Sequence, residues 1–317
     1  MSPATGLGEQ GSGDAGARAA GATRLGVLGW PVAHSRSPAM QNAALDAMGL
    51  TQWHYQRLPV PPELFEETAR ALGGAGFRGA NVTIPHKQAA LAVADEASAA
   101  ARAIGAANTL SFAPGRGIAA ENTDAPGLLA ALARAGCDPR GRTVQILGAG
   151  GSARAAAWAL REAGAREVTV WNRTPARAEE LGRALRVRTV AGLPEKADIL
   201  INCTSVGLKN DGPGSAAASG RLRHPRLVPP ATEGESDLNK LGLTHDLLGE
   251  YSYVVDLVYT QGRTPLLAAA REVGAATVDG LEVLVAQGAL SLELWTGCPA
   301  PIEVMRRAGR SPIGREA

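Results

Sequence analysis

The stretch Ile146-Leu147-Gly148-Ala149-Gly150-Gly151-Ser152-Ala153 joins the end of an apolar strand to the start of an alanine-rich helix. Glycine is needed at such a turn because a Cβ would block the tight bend and would hold the backbone away from a bound pyrophosphate. The free N–H groups at the helix N-terminus would stabilise the charge of that pyrophosphate. The stretch therefore predicts a dinucleotide-binding turn over residues 148–153, although a glycine-rich turn without a ligand is the alternative if the motif is taken alone.

The next predicted strand ends in Asn172, Arg173 and Thr174, about 20 residues after the glycine turn. An enzyme that uses NAD places an Asp or Glu here, which hydrogen-bonds the ribose hydroxyls and would repel a 2′-phosphate. No acid stands at this point, and the planar guanidinium of Arg173 suits the phosphate of NADP, with Arg154 or Arg177 able to share it. The position predicts NADP as the cofactor; the alternative is an ordinary surface arginine.

Strands alternate with helices along the chain, a pattern typical of a mostly parallel α/β sheet. In the first part, the sequence predicts strands at 24–29, 53–58 and 79–84 and helices at 38–48 and 62–72. A second domain is predicted to start near residue 125 with a helix, followed by strands from Thr143, at 167–171, 198–202 and 253–257. This is the order of a doubly wound sheet.

The stretch 207–249 is rich in Gly, Pro, Ala and Ser, so it is predicted to be mostly loop, with room for a short helix at 238–248. Apolar spacing predicts helices at 281–295 and near 300–308 as the last elements of the chain.

Length and charge favour a two-domain globular protein. The chain has 317 residues, with 32 Lys and Arg residues balanced by 30 Asp and Glu residues to a net charge of +2. No basic run is interleaved with aromatic residues, so no nucleic-acid partner is predicted. Cys137, Cys203 and Cys298 lie far apart and lack CxxC spacing, which indicates neither a metal site nor a disulfide framework; buried free thiols are expected.

The first 23 residues are rich in Gly, Ala and Ser and contain no continuous apolar core of the kind that a secretory signal needs. No later stretch is long and apolar enough for a membrane span. We therefore expect a disordered tail over 1–23, no membrane partner and a cytoplasmic location.

Two serines, Ser35 and Ser37, lie just before a predicted helix in which Pro38 suits the first position. Such a turn can hold an anion, although helix capping by Ser37 is an equally plain interpretation.

Asn81 and Thr83 share one side of a strand by two-residue periodicity, after which Pro85 ends the strand and Lys87 follows on a loop. A lone lysine on a loop is usually solvated. Two further polar clusters, at 105–110 and 121–124, favour a functional role for Lys87 over a solvated one. The clusters and Lys87 are predicted to form one site.

With these clusters in place, the chain resembles the shikimate dehydrogenase family over residues 24 to 308. The resemblance rests on ten motifs in order: HSRSP at 34–38, NVTIPHK at 81–87, ANTL at 107–110, ENTDAPG at 121–127, GAGGSARA at 148–155, NRT at 172–174, INCTSVG at 201–207, DLVY at 256–259, TPLL at 264–267 and DGLEVLVAQG at 279–288.

The resemblance implies a reversible, NADP-dependent reduction of 3-dehydroshikimate to shikimate, in the pathway to aromatic amino acids, with the substrate in a cleft between two α/β domains. It implies a substrate-binding catalytic domain at 24–124 plus 281–310, to which the C-terminal helices return, and a Rossmann-type doubly wound NADP-binding domain at 125–280. The small-molecule substrate is the expected partner of a monomer or homodimer.

Roles carry over from the family by position. The implied catalytic pair is Lys87 and Asp124. The residues implied to bind the substrate carboxylate are Ser35, Ser37, Thr83 and Tyr259, and those implied to bind ring hydroxyls are Asn81, Asn108, Asp124 and Gln287. The residues implied to bind the cofactor are the glycine turn for the pyrophosphate, Asn172, Arg173, Thr174 and Arg177 for the adenosine phosphate, Thr204, Ser205 and Val206 beneath the cofactor, and Leu257 and Gly280 beside the nicotinamide.

Three features depart from the family pattern: Ala125 where glycine is common, Cys203 at a strand end, and a long insertion at 208–250. The insertion could cover the cofactor, form an oligomer contact or be disordered. None of the three touches the catalytic pair.

Other functions remain as alternatives. A quinate/shikimate or aminoshikimate dehydrogenase would share the catalytic pair, although Arg173 argues against an NAD-linked quinate enzyme. A folate-linked dehydrogenase would not explain the HSRSP and NTD motifs. A binding or sensor protein without turnover would be expected to have lost Lys87, Asp124 or the glycine turn. The chain has no G-x-S-x-G elbow of a serine hydrolase and no Gly-Lys-Ser/Thr ending of a P-loop.

Overall fold

A computed structural model of the chain describes residues 22–113, 115–208, 233–260 and 262–311. The tail predicted at 1–23 lies outside the described residues except for Ala22 and Thr23, and Thr23 already belongs to the first strand. The strands are β1 Thr23–Gly29, β2 Trp53–Pro59, β3 Phe77–Val82, β4 Glu96–Ala97, β5 Thr109–Ala113, β6 Gly117–Glu121, β7 Thr143–Leu147, β8 Glu167–Trp171, β9 Arg188–Val190, β10 Ile199–Asn202, β11 Tyr253–Asp256 and β12 Ala276–Asp279. The helices are α1 Ser37–Ala47, α2 Phe65–Leu72 (after a 3-10 turn, Pro62–Leu64), α3 Lys87–Ala92, α4 Ala99–Ile104, α5 Asp124–Arg134, α6 Gly151–Glu162, α7 Pro175–Leu185, α8 Glu233–Lys240, α9 His245–Leu248, α10 Pro265–Glu272, α11 Gly280–Thr296 and α12 Ile302–Arg310.

The first sheet has six strands in the order β2-β1-β3-β5-β6-β4. β1 runs parallel to β2 and β3, and β4 runs parallel to β6, but β5 is antiparallel to both β3 and β6. The alternation of strands and helices predicted a mostly parallel sheet, and only three of these five pairs are parallel. The antiparallel pairing of β5 with β6 follows from their short connection, since parallel neighbours need a much longer crossover.

The second sheet is parallel throughout, with the order β12-β11-β10-β7-β8-β9. This is the predicted doubly wound arrangement. The chain leaves β7 towards β8 on one side and later returns to β10 on the other, so a crevice opens at the carboxyl ends of β7 and β10. The glycine turn follows β7 directly and therefore lies at this crevice.

The C-terminal helices α11 and α12 return to the first sheet. Their apolar side chains share one core with β1 and α1, in which Leu25, Met40, Leu292, Trp295 and Met305 are fully or almost fully buried.

Trp295 shows how closely the last helices pack on the first sheet. Its Nε1 donates to the carbonyl oxygen of Leu110 at 3.0 Å. A Cβ on Gly79 of β3 would lie only 2.0 Å from that nitrogen, so glycine in the strand makes room for the indole ring.

The insertion at 208–250 contains two helices in its described part, where one short helix was predicted. α8 and α9 are separated at Gly242, whose φ of +70° ends the first of them. Leu238, Leu241 and Leu248 are buried against the second sheet and attach these helices to it. The predicted loop over 209–232 lies outside the described residues.

The expectation of buried thiols is correct for one cysteine of three. Cys137 is buried, Cys203 is partly exposed and Cys298 is exposed, and all three are free. Among the described helices, none combines the length and the apolar character that a bilayer crossing requires.

Candidate active site between the two sheets

A cavity of about 160 Å³ lies where the first sheet meets the crevice of the second. All nine side chains predicted to contact a substrate line it: Ser35, Ser37, Asn81, Thr83, Lys87, Asn108, Asp124, Tyr259 and Gln287. They come from parts of the chain that are up to 252 residues apart in sequence, and the fold brings them to one place.

Lys87 and Asp124 form an ion pair in this cavity, with 2.6 Å between Nζ and Oδ2. Their side chains are 11% and 17% exposed, so water screens the pair only weakly. Lys87 is the first residue of α3, whereas the sequence predicted a loop; β3 ends at Val82, before Pro85. Asp124 is the first residue of α5, where the helix dipole favours a negative charge.

The second oxygen of Asp124 is held by Asn108. The Nδ2 of Asn108 lies 2.9 Å from Asp124 Oδ1 and 3.0 Å from Thr123 Oγ1, and its Oδ1 accepts from the backbone N–H of Thr123 at 2.7 Å. Both oxygens of the carboxylate are thus engaged, one by the lysine and one by the amide, which fixes the plane of the carboxylate.

Asn81 belongs to the same network. Its Oδ1 accepts from the hydroxyl of Tyr55 at 2.8 Å, and its Nδ2 lies 2.9 Å from Ser291 Oγ and 3.2 Å from Thr109 Oγ1. The polar atoms of Asn81 are therefore occupied by protein partners, although the side chain lines the cavity.

Sequence reasoning missed the supporting residues Tyr55, Thr109, Thr123 and Ser291. Thr109 and Thr123 lie inside two of the quoted motifs. Ser291 follows Gln287 by one helical turn on α11, so helical spacing was a signal that could have found it.

Ser35 and Ser37 also line the cavity, and both are almost fully buried. Ser37 is the first residue of α1, and its backbone N–H donates to Ser35 Oγ at 3.3 Å. Residue 36 occupies the N-cap position without a side-chain cap, so the interpretation of Ser37 as a capping residue is wrong.

Tyr259 lines the cavity beside these serines. Burial raises the pKa of its hydroxyl, which hydrogen-bonds Ser35. The phenol therefore stays neutral at physiological pH and can donate to an anion. Together with the two serines it forms a group of hydroxyls suited to a carboxylate.

His34 and Arg57 lie beside the turn that carries Ser35 and Ser37, here called the serine turn. Sequence reasoning assigned neither residue a role. Burial, helped by the charge of Arg57, lowers the pKa of His34, so its imidazole is neutral at physiological pH. Arg57 donates from Nη2 to the carbonyl oxygen of Ser35 at 2.9 Å and so supports the turn.

A second cavity of about 560 Å³ lies over the crevice of the second sheet. Eleven of the fifteen predicted cofactor residues line it: Gly148, Ala149, Gly150, Gly151, Ser152, Asn172, Arg173, Arg177, Thr204, Ser205 and Val206. Leu257 and Gly280 line the first cavity instead. Ala153 is buried in the core beneath the turn, and Thr174 is exposed at the N-cap of α7, so neither lines either cavity.

The glycine turn has the shape that a dinucleotide requires. Gly148 has a φ of +109°, and a Cβ there would lie 3.2 Å from the backbone carbonyl of Cys203, so the crevice itself excludes a side chain. A Cβ on Gly150 would meet nothing within 4 Å, which leaves open space over the N-terminus of α6.

Arg173 and Arg177 are exposed and make no salt bridge with any residue that the structure describes. Arg154 differs, since it is buried and its Nη2 pairs with Glu180 at 2.8 Å. Of the two arginines considered as helpers of Arg173, Arg177 is therefore the available cation. Lys240 of α8 also lines this cavity, and no sequence signal pointed to it.

Gly280 is required by backbone packing. A Cβ there would lie 2.6 Å from the carbonyl oxygen of Leu257 and 2.7 Å from that of Asp256. Because α11 begins directly against the end of β11, this position has no space for a side chain.

Cys203 lines both cavities. Burial raises the pKa of its thiol far above physiological pH, so it is present as a neutral thiol despite its nearness to Lys87. Six residues are shared by the two cavities: Ile84, Lys87, Ser152, Cys203, Thr204 and Ser205. The two cavities therefore meet at Lys87.

Comparison with known proteins agrees with this geometry. Family models match residues 27–110 (shikimate dehydrogenase substrate binding domain), 131–208 (shikimate / quinate 5-dehydrogenase) and 280–308 (shikimate 5'-dehydrogenase C-terminal domain). A curated shikimate dehydrogenase (NADP(+)) of Methanopyrus kandleri is 42% identical over 292 residues, which cover 90% of this chain and 93% of the relative. One of Geobacter metallireducens is 39% identical over 303 residues, covering 90% and 96%.

A solved structure of shikimate 5-dehydrogenase from Thermus thermophilus, in complex with NADP(H) and shikimate, has a TM-score of 0.75 to this chain. It is 38% identical, and the match covers 91% of this chain and 98% of that one. The motifs, the two-sheet architecture and these relatives agree: the chain belongs to the shikimate dehydrogenase family.

Proposed function

We propose that the protein is an NADP-dependent shikimate dehydrogenase, which reversibly reduces 3-dehydroshikimate to shikimate in the pathway to aromatic amino acids. The observation that carries the proposal is the Lys87–Asp124 pair, which lies where a small cavity that contains all nine predicted substrate residues meets a dinucleotide cavity. A proton donor is required at such a junction, because reduction of a ketone builds charge on its oxygen.

The residues of the second cavity fit NADP. The glycine turn leaves space and free N–H groups for a pyrophosphate, and no carboxylate stands at Asn172 to reject a 2′-phosphate. Arg173 and Arg177 carry positive charges without salt-bridge partners among the described residues, which suits that phosphate. When bound, NADPH supplies the hydride that reduces the carbonyl carbon.

Lys87 has the central chemical role in this proposal. Its ammonium stabilises the alkoxide charge that develops on the carbonyl oxygen and delivers a proton from Nζ to that oxygen. Asp124 holds Nζ at 2.6 Å, and Asn108 holds the other oxygen of Asp124, so the ammonium is oriented before the substrate arrives. In the reverse direction Lys87 accepts the proton of the substrate hydroxyl.

The remaining cavity residues are proposed to orient the ring. The hydroxyls of Ser35, Ser37 and Tyr259 receive the substrate carboxylate, with Thr83 beside them. The ring hydroxyls contact Asp124, Asn108 and Gln287, and one of them donates to the second lone pair of Asn81 Oδ1, whose first accepts from Tyr55. This assignment is supported by the chemistry of the side chains that line the one cavity, which include hydroxyl donors, amides and the ion pair.

The proposal includes the division of the chain into a substrate domain, 24–124 plus 281–310, and a cofactor domain, 125–280. Its support is that α11 and α12 pack on the first sheet while every strand of the second sheet lies between 143 and 279.

We further propose a cytoplasmic monomer or homodimer; the three free cysteines fit a reducing compartment.

The test is absorbance at the NADPH band with purified protein and four pairings: shikimate or quinate, each with NADP or NAD. Turnover of shikimate with NADP alone is the expected result. Strong turnover of quinate with NAD would move the protein to the quinate-acting relatives. Absence of turnover in all four pairings would favour a binding protein that has lost catalysis.

A further inference from the structure

The ammonium of Lys87 has a second partner besides Asp124. Its Nζ lies 2.9 Å from the Oγ of Ser152, which is the second residue of α6. Lys87 and Asp124 follow strands of the first sheet, whereas Ser152 follows the glycine turn of the second sheet. The ammonium is therefore held from both sides of the boundary between the two sheets.

Packing makes this contact specific. A Cβ on Gly151 would lie 2.7 Å from the Cβ of Lys87 and 2.9 Å from its Cδ, so the first turn of α6 rests on the aliphatic part of the lysine side chain. The absence of a side chain at Gly151 lets the neighbouring hydroxyl of Ser152 reach Nζ. The location of Nζ is thus tied to the location of the helix that follows the glycine turn.

An ammonium has three N–H donors. One is directed to Asp124 and one to Ser152, which leaves a single donor for a carbonyl oxygen in the cavity. With Asp124 alone, the ammonium group could rotate about its last bond and present either of its two remaining protons in several directions. Two fixed acceptors remove that freedom before the reaction begins.

We propose that Ser152 is a positioning residue, which links the seating of the dinucleotide on α6 to the orientation of Lys87. This role rests on the proposed function and adds to it, because the glycine turn by itself would explain cofactor binding only. A pyrophosphate bound at the N-terminus of α6 would fix the position of that helix. Because the hydroxyl of Ser152 belongs to the helix and accepts a hydrogen bond from Nζ of Lys87, the position of Nζ would be fixed as well.

The test uses Ser152→Ala, which removes one oxygen and leaves a good helix former in place. Loss of a hydrogen bond to a charged group is expected to lower kcat for shikimate oxidation about 5- to 30-fold, with KM for shikimate and for NADP changed less than about threefold. Ser152→Thr keeps the hydroxyl and is expected to recover most of the kcat that Ser152→Ala loses. Titration of NADP by protein fluorescence measures cofactor binding separately.

A double-mutant cycle with Lys87→Ala separates positioning of the lysine from any other role. Ser152→Ala should have almost no further effect on kcat, about twofold at most, in the Lys87→Ala background, because its partner is already absent. An undiminished effect in that background would overturn the proposal.

Two other results would also contradict it. If Ser152→Ala keeps the wild-type kcat and only weakens NADP binding, Ser152 serves the cofactor alone. If Ser152→Thr loses as much kcat as Ser152→Ala, the hydroxyl is not the cause. Both tests require a wild-type protein that oxidises shikimate with NADP, so failure of the proposed function itself would be seen first and separately.

Discussion

Arg36 donates from Nη1 to the carbonyl oxygen of Gly309 at 2.6 Å, across 273 residues of sequence. The same nitrogen donates to the carbonyl oxygen of Ser311 at 2.9 Å. These carbonyls lie at the C-terminal end of α12, where the helix leaves acceptors unpaired and its dipole favours a cation. The serine turn of the candidate carboxylate site is thereby fastened to the last helix.

Arg36→Ala is expected to weaken substrate binding while leaving the reacting groups in place. The turn that carries Ser35 and Ser37 would lose its anchor. The buried carbonyl of Gly309 would also lose this donor, which lowers the unfolding free energy by about 1–3 kcal/mol. We expect KM for shikimate to rise roughly tenfold, with a much smaller change in kcat, and the midpoint of urea unfolding to fall. Steady-state kinetics and urea titration measure both effects.

Arg36→Lys is the matched variant, since a lysine restores a cation at the helix end. It should recover part of the stability and part of the KM. Equal kinetics for wild type and Arg36→Ala would mean that the turn holds its shape without α12.

Lys87→Ala is expected to lower kcat by roughly 10²- to 10⁴-fold, the usual contribution of a general acid or base. KM should change much less, because the nearby hydroxyls and amides still bind the substrate. Lys196→Ala is the matched control: that lysine is exposed and pairs with Glu250 far from the cavity. An unaltered kcat in Lys87→Ala would refute the assignment of the proton donor.

Arg173→Asp is expected to shift preference from NADP towards NAD. The change removes charge-assisted hydrogen bonds to the 2′-phosphate and adds repulsion, so kcat/KM with NADP should fall on the order of 10²-fold. The new carboxylate can instead accept hydrogen bonds from ribose hydroxyls. The measurement is the ratio of kcat/KM values for the two cofactors.

Arg183→Asp, on the helix α7 that follows Arg173 but outside the dinucleotide cavity, is the control for the change of charge. Its cofactor ratio should equal that of the wild type. If Arg173→Asp retained a strong preference for NADP, Arg177 or Lys240 would be the group that recognises the phosphate.

Much of the second sheet could be predicted from the sequence because its signals are local. The glycine turn is one continuous stretch, and the strands before and after it are short apolar runs. The first sheet was harder, since the antiparallel insertion of β5 depends on a pairing with β3 that joins Asn81 to Thr109. Periodicity within one segment carries no information about which strand it will join.

The candidate site was also predicted from local signals only. Motifs located the residues that line the cavity, but not the partners that hold them. Asn81 was expected to contact a ligand, but the motif gave no sign that its Nδ2 is also bonded to Asn108, Thr109 and Ser291. Lys87 was placed on a loop because Pro85 normally ends a strand; the helix that begins two residues later is only six residues long and has a weak sequence signature.

Asp256 gives a prediction for the dependence of stability on pH. This buried residue at the end of β11 accepts hydrogen bonds from Asn202 at 2.9 Å and from Thr264 at 2.6 Å. Burial outweighs these bonds and raises the pKa of the carboxyl from 3.8 to about 6. The folded protein therefore holds this proton more tightly than the unfolded chain does.

Since the folded-state pKa is the higher one, the contribution to stability is fully present below about pH 4 and is lost as the pH rises to about 6. A shift of roughly two pH units corresponds to about 3 kcal/mol of unfolding free energy. The side chain of Asp256→Asn cannot ionise, so the unfolding free energy of the wild type relative to this variant should fall by about 3 kcal/mol between pH 4 and pH 7.

Urea titrations of both proteins at several pH values measure that difference, because the contributions of the other titrating groups cancel. A difference that is constant with pH would show that the pKa of Asp256 is the same in the folded and unfolded states. A difference that rises with pH would mean that the bonds from Asn202 and Thr264 outweigh the cost of burial.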